Sequence, residues 1–178
     1  MRFGKKAAAV AAAGTISLTF AALQLAPTAS AAPAPAERSV TVNVPAVSQT
    51  PTRSRAHYFR GELLEISAHG MAGYGAESQA GCVGAPTTTP DGNRSLSGAP
   101  CSQKIDPSAV LPTAPIGSLI ASIGVPGQPG SSGWFYVGNY LRLRNWRDSG
   151  EIYLLYNDVP GEYGNNLGSY NALLKLRL

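Results

Sequence analysis

The chain has 178 residues and a formal net charge of +4, from 14 lysines and arginines against 10 acids, and it is rich in glycine (20) and proline (14). That is enough for one domain with a proper core behind a short leader. Three of the cations lie within the first six residues, so the basic balance lends no support to a polyanion-binding role, and nothing after residue 31 is apolar and long enough to cross a membrane as a helix.

Residues 1–31 read as a secretory signal peptide. Arg2, Lys5 and Lys6 precede an Ala-rich apolar run to about Leu25, then Pro27 and the small tripeptide Ala29-Ser30-Ala31, with cleavage expected after Ala31. The alternative is an uncleaved anchor, because the run from Ala7 is nearly long enough to span a bilayer. Residues 32–38 form an Ala/Pro-rich spacer that cannot build a core, and residues 39–178 form the domain.

Residues 39–47 alternate, with Val40, Val42 and Val44 on one face, and predict the first strand, closed by Pro45 and Pro51. Residues 53–60, RSRAHYFR, read as a solvated strand or connection whose arginine stems lie over aromatics; a phosphate- or nucleic-acid-binding arm is the sharper reading, but no nucleic-acid module surrounds it. Residues 62–68 predict another strand, with Glu62 and Glu65 on its surface. HGMAGYG follows, where His69 packs locally and Tyr74, between Gly73 and Gly75, has a backbone carbonyl free to point toward a ligand.

Residues 77–113 predict a long irregular stretch containing Cys82 and Cys101. Export favours pairing these two, and closing a loop of that size contributes about 3 kcal/mol. Strands are expected over 116–124, 134–137 and 140–146, the last with Leu141 and Leu143 on one face and Arg142 and Arg144 on the other. The turn over 124–130 is no phosphate loop, because its prolines remove the amides such a loop would use. Trp134 and Trp146 read as packing residues before they read as sugar platforms.

Residues 151–156 predict a strand that runs into a loop holding Asn157, Asp158, Asn165 and Asn166 within ten residues, before a last strand from Tyr170. This is more side-chain oxygen than a turn requires. It suits a hard cation such as calcium, which takes six to eight oxygens, and equally suits Asx side chains capping their own backbone. At least seven short strands without an amphipathic helix predict an all-β, antiparallel β-sandwich or jelly-roll-like fold. In such a fold the loop after Tyr156 can meet the turn at Tyr74. No nucleophile elbow, HExxH, CxxC pair or P-loop is present, so no enzyme is expected.

Two segments, GELLEISAHGMAGYG (61–75) and YNDVPGEYGNNLG (156–168), together resemble the PA-IL-like galactophilic lectins of bacteria. The resemblance implies a galactose-binding-domain-like β-sandwich that binds carbohydrate through calcium and is often a homotetramer. By motif position it assigns calcium to the side chains of Asp158, Asn165 and Asn166 and the carbonyls of Glu162 and Tyr74. Two vicinal sugar hydroxyls complete the shell, bonded further by Asp158, Asn165 and the Val159 amide. Glu162 stands where threonine is frequent in that family. The family's histidine-proline-x-glutamine stretch is replaced by Thr89-Pro90-Asp91-Gly92, which leaves Asp91 as the sugar contact there and withholds galactose specificity. The expectation is a secreted, calcium-dependent lectin for a galactoside or another vicinal diol, in several copies for avidity. The alternative is an extracellular interaction module in which calcium only pins a loop.

Overall fold

The computed structural model describes residues 36–79 and 82–178, which belong to the unit Ala34–Leu178; the expected signal peptide, its expected cleavage site and most of the expected spacer lie outside the described residues. The described residues form thirteen strands: β1 (Arg38–Pro45), β2 (Thr52–Tyr58), β3 (Leu63–Gly73), β4 (Glu77–Gln79), β5 (Cys82–Gly84), β6 (Thr87–Thr88), β7 (Arg94–Leu96), β8 (Ala99–Cys101), β9 (Leu119–Gly124), β10 (Phe135–Tyr136), β11 (Tyr140–Arg144), β12 (Gly150–Tyr156) and β13 (Leu167–Arg177). Among the described residues a single 3-10 turn, Tyr163–Asn165, interrupts them.

The strands make an antiparallel β-sandwich. One sheet runs β1-β13-β3-β6-β7-β8, with β11 also on β3; the other runs β10-β9-β12-β2; β4 and β5 form a hairpin. Strict alternation sends Tyr170, Ala172, Leu174 and Leu176 of β13 inward, alongside Val42 and Val44 of β1 and Leu64 and Ile66 of β3. Facing them are Ile152, Leu154 and Tyr156 of β12, and the Tyr156 and Tyr170 rings meet across the core at 5.8 Å. β9 and β12 are buried on both faces. The segment after β9 folds back over the outer side, where Tyr153 accepts the Gly127 N–H at 2.7 Å and Ser122 accepts that of Gly130 at 3.0 Å.

Three expectations change. The strand predicted over 62–68 continues to Gly73, so HGMAGYG is strand for most of its length and His69 lies mid-strand opposite Asn171. Gly70 permits this: at φ +122° it lies where an added Cβ would fall 2.6 Å from the Ser169 carbonyl oxygen. The stretch 77–113 is not irregular throughout, since β4 to β8 lie within it, and Cys82 and Cys101 are joined as expected. Glu62 is buried rather than on the surface, because its carboxylate accepts the Phe59 N–H (2.8 Å) and pairs with Arg38. Trp134 and Trp146 do pack against the core, and Trp146 stands 4.9 Å from the Phe135 ring.

One buried hydroxyl ties the sheets to the loops that carry the site. Tyr170 Oη lies 2.6 Å from the Gly117 carbonyl, 2.7 Å from Thr88 Oγ1 and 3.0 Å from the Thr89 carbonyl. Tyr170→Phe leaves those acceptors short of a donor in a dry interior. Unfolding free energy measured in urea should fall by about 1–3 kcal/mol.

Candidate functional site

The site is built where β12 ends. Asn157, the first polar residue after β12, is fully buried, and its side chain is spent on backbone groups. Its Oδ1 accepts the Leu111 N–H (2.9 Å), and its Nδ2 lies 3.1–3.2 Å from the carbonyls of Leu111, Ala114 and Pro115. It staples the 111–115 segment to β12, and so one of the four clustered Asx residues is structural.

Asp158 follows, only 4% exposed. Oδ1 accepts the N–H of Val159 (2.8 Å) and Oδ2 accepts Asn166 Nδ2 (2.8 Å). No lysine or arginine among the described residues lies within ion-pair distance of this carboxylate. Asn166 is 2% exposed; its Nδ2 also donates to the Ala46 carbonyl (3.1 Å), which turns Oδ1 the other way, and that oxygen is buried without a protein partner. The 3-10 turn positions the pair: Asn166 N–H donates to the Tyr163 carbonyl (3.1 Å), and the buried Tyr163 hydroxyl donates to the Tyr156 carbonyl (2.9 Å), pinning the loop floor to the strand end.

Asn165 is exposed, and its side chain lies over Gly75, where an added Cβ would fall 2.7 Å from Asn165 Cγ. The Gly73-Tyr74-Gly75 segment therefore reaches the 157–166 loop, as sandwich topology predicted. Asn165, Tyr74 and Gly75 line one recess of about 230 Å³, walled on its apolar side by Met71, Pro86 and Leu167. The Tyr74 ring is buried and its hydroxyl is pushed up to about 12, first by burial and further by the negative charge of Asp158, against the opposing pull of Arg94. Arg94 and Lys104 lie over that ring at 5.6 and 5.9 Å.

The remaining expected residues have plain fates. Glu162 is exposed on the turn before the 3-10 segment, and its N–H closes onto the Val159 carbonyl (3.0 Å). The Val159 N–H is engaged by Asp158 Oδ1. Asp91 is held within the fold: Oδ1 accepts the Asn139 N–H (2.7 Å) and Tyr136 hydroxyl (3.2 Å), and Oδ2 accepts Asn139 Nδ2. It clamps the turn between β10 and β11 onto the loop before β7. Ala46, Gln49, whose Oε1 accepts the Gly161 N–H (3.2 Å), and the Arg94 cluster were not anticipated. Each acts through a backbone group or a ring face, and no local sequence pattern marks such roles.

Chemically, the cluster offers oxygen only. Among the described residues no three His, Cys, Asp or Glu side chains come together, so soft or nitrogen-rich coordination is not available here. A buried carboxylate bonded only to neutral donors, beside a buried amide oxygen with no partner, is a poor end state by itself and a good fit to a hard cation. The capping alternative accounts for Asp158 Oδ1 on the Val159 amide but not for Asn166 Oδ1.

Comparison with known proteins bears on the family and the fold. A family model described as PA-IL-like protein matches residues 40–176. Lectin A of Photorhabdus laumondii subsp. laumondii is 27% identical over 113 residues, covering 64% of this chain and 71% of that protein. A solved structure described as "EclA N-terminal domain; PllA-like lectin" superposes with a TM-score of 0.51 at 21% identity, covering 78% of this chain and 96% of that one, which supports the fold.

Proposed function

The chain belongs to the PA-IL-like protein family, and we propose that it is a secreted lectin that binds saccharides through a calcium ion held by the 157–166 loop. The observation that carries this reading is Asn166 Oδ1, buried and unpartnered beside the equally buried Asp158 carboxylate. Asp158, Asn165 and Asn166 would hold the ion, with backbone carbonyls from Tyr74 and Glu162. Bound calcium supplies positions for a pair of vicinal hydroxyls. The chain's own part is to hold Asp158 and Asn166 in fixed register through Ala46, Tyr163 and Tyr156, so that little freedom is lost on binding. Exposed Asn165 offers a carbonyl and an amide to the same hydroxyls. One such site is weak, so several copies would be needed for useful avidity.

A structural role for calcium is the second reading, and Asp91 favours it. Its two oxygens are spent on Asn139 and Tyr136, which removes the side chain best placed to replace the family's missing histidine and glutamine, and with them the support for galactose. Titration of the chelated protein with calcium, then with monosaccharides, separates the readings. The lectin reading expects micromolar to millimolar saccharide binding that EDTA abolishes; tight calcium binding with a blank glycan array leaves calcium as a loop clamp.

A further inference from the structure

At the opposite end of β12 lies a feature that the family assignment does not absorb. β2 is the edge strand of the four-stranded sheet and pairs with β12 in two stretches, Tyr58↔Gly150 with His57↔Glu151, and Arg53↔Tyr153 with Thr52↔Leu154. Between them Ser54, Arg55 and Ala56 stand opposite Ile152 alone. This is a bulge, and Arg55 at its crest has φ +60°, one of three non-glycine residues among those described with a positive φ. Buried Ser54 holds the shape by accepting the Ala56 N–H at 3.0 Å.

The bulge shapes an open recess of about 520 Å³ lined by Arg53, Arg55, Ala56, His57, Pro126 and Glu151. Its floor is already neutral: the Glu151 carboxylate, 6% exposed, receives Arg53 through Nε (3.1 Å) and Nη2 (2.8 Å) and the Tyr153 hydroxyl (3.0 Å). Arg53 keeps Nη1, and its side chain is 60% exposed. Arg55 is exposed, and no acid among the described residues lies within ion-pair distance of its guanidinium. The recess is therefore lined by two arginines, one of them uncompensated, on backbone held in a sparsely populated conformation. Such strain persists where its surroundings impose it, and it concentrates at binding sites. Guanidinium forks match the planar oxygen pairs of carboxylates and sulfates.

We propose that this recess is a second, calcium-independent site that takes a singly charged oxyanion, a sulfate ester or a carboxylate, carried on an acidic saccharide. Only the saccharide carrier rests on the lectin reading; the anion site does not. The competing explanation is that a bulge and an exposed charge merely keep the β2 edge from pairing with another sheet.

The test uses the mature chain in EDTA, titrated by calorimetry with a galactose disaccharide bearing one sulfate ester and no carboxylate, a digalacturonate and a neutral galactose disaccharide, with amide shifts followed at Arg55, Ala56 and His57. One or both acidic sugars should bind, about tenfold more weakly at 0.5 M than at 0.05 M salt, and which one binds identifies the anion. Arg55→Gly accepts the positive φ and keeps the bulge without the guanidinium; it should lose about tenfold in affinity, as should Arg55→Gln. The proposal is overturned if neither acidic sugar binds in EDTA, if both variants bind as well as the parent, or if acidic sugars bind only with calcium. Neutral sugars failing with calcium while acidic ones bind without it would sink the lectin reading and leave this site standing.

Discussion

Asp158→Ala is expected to lose calcium affinity by at least about 100-fold, equivalent to about 2.7 kcal/mol, and to take saccharide binding below detection with it. The carboxylate is the one acidic side chain proposed to touch the ion, since Glu162 is exposed and offers only its carbonyl, and it is sunk in the protein at 4% exposure, where no neighbouring acid is placed to substitute for it. The fold should survive. The lost bonds are those to the Val159 N–H and Asn166 Nδ2, and Nδ2 keeps the Ala46 carbonyl, so the calcium-free protein should weaken by only about 1–2 kcal/mol. Asp158→Asn separates charge from shape, since it retains an oxygen for Val159 and should still lose the ion. Urea melts with and without calcium give a second readout. A cation at one hundred times its dissociation constant stabilises the parent by about 2.7 kcal/mol and should stabilise either variant by no more than about 0.4 kcal/mol. Undiminished calcium affinity in Asp158→Ala would remove the basis of the proposed function.

Alternation made the sandwich legible, because Val40-Val42-Val44 and the run from Tyr170 each report one inward face and Leu141-Leu143 a half-buried one. The same logic failed at Gly70. A glycine between His69 and Met71 looks like a strand end, whereas here it lets β3 continue past β13 at a distance no side chain would tolerate. In the site, the sequence signal was an excess of oxygens without an address for each. Asn157 and Asp158 are adjacent and chemically alike, yet one is spent on three carbonyls and an amide of the 111–115 segment and the other faces Asn166. That choice is made by a segment more than forty residues away. Asp91 shows the same limit, since its partners Tyr136, at the end of β10, and Asn139, in the turn after it, carry no sign of the contact in their sequence.

Arg94→Met is expected to cost about 3 kcal/mol of stability and to lower calcium affinity about tenfold. Arg94 is 2% exposed and pairs with Glu77, and its Nη1 donates to the Ser102 carbonyl at 2.7 Å. Removing one member of a buried ion pair strands the other, at 3–5 kcal/mol in typical cases; Lys104, 3.5 Å from the same Glu77, moderates the loss. The effect reaches the site because the pair closes a circuit. Glu77 begins β4, β4 pairs with β5, Cys82 of β5 is bonded to Cys101, and Cys101 lies opposite Arg94 in the β7–β8 register. Tyr74 sits within this circuit with its ring under both cations, and cation–ring contacts of this kind contribute about 1–2 kcal/mol when shielded from water. Loosening it frees the Tyr74-Gly75 backbone that faces Asn165. Glu77→Met in the Arg94→Met background should recover stability, because an apolar pair of similar volume no longer strands a charge. It should not recover calcium affinity, since one of the two cations over Tyr74 is still missing and the other, Lys104, has lost the carboxylate it lay beside. Calcium affinity that follows stability back up would assign the circuit to folding alone, and affinity unmoved by Arg94→Met would disconnect Tyr74 from the ion.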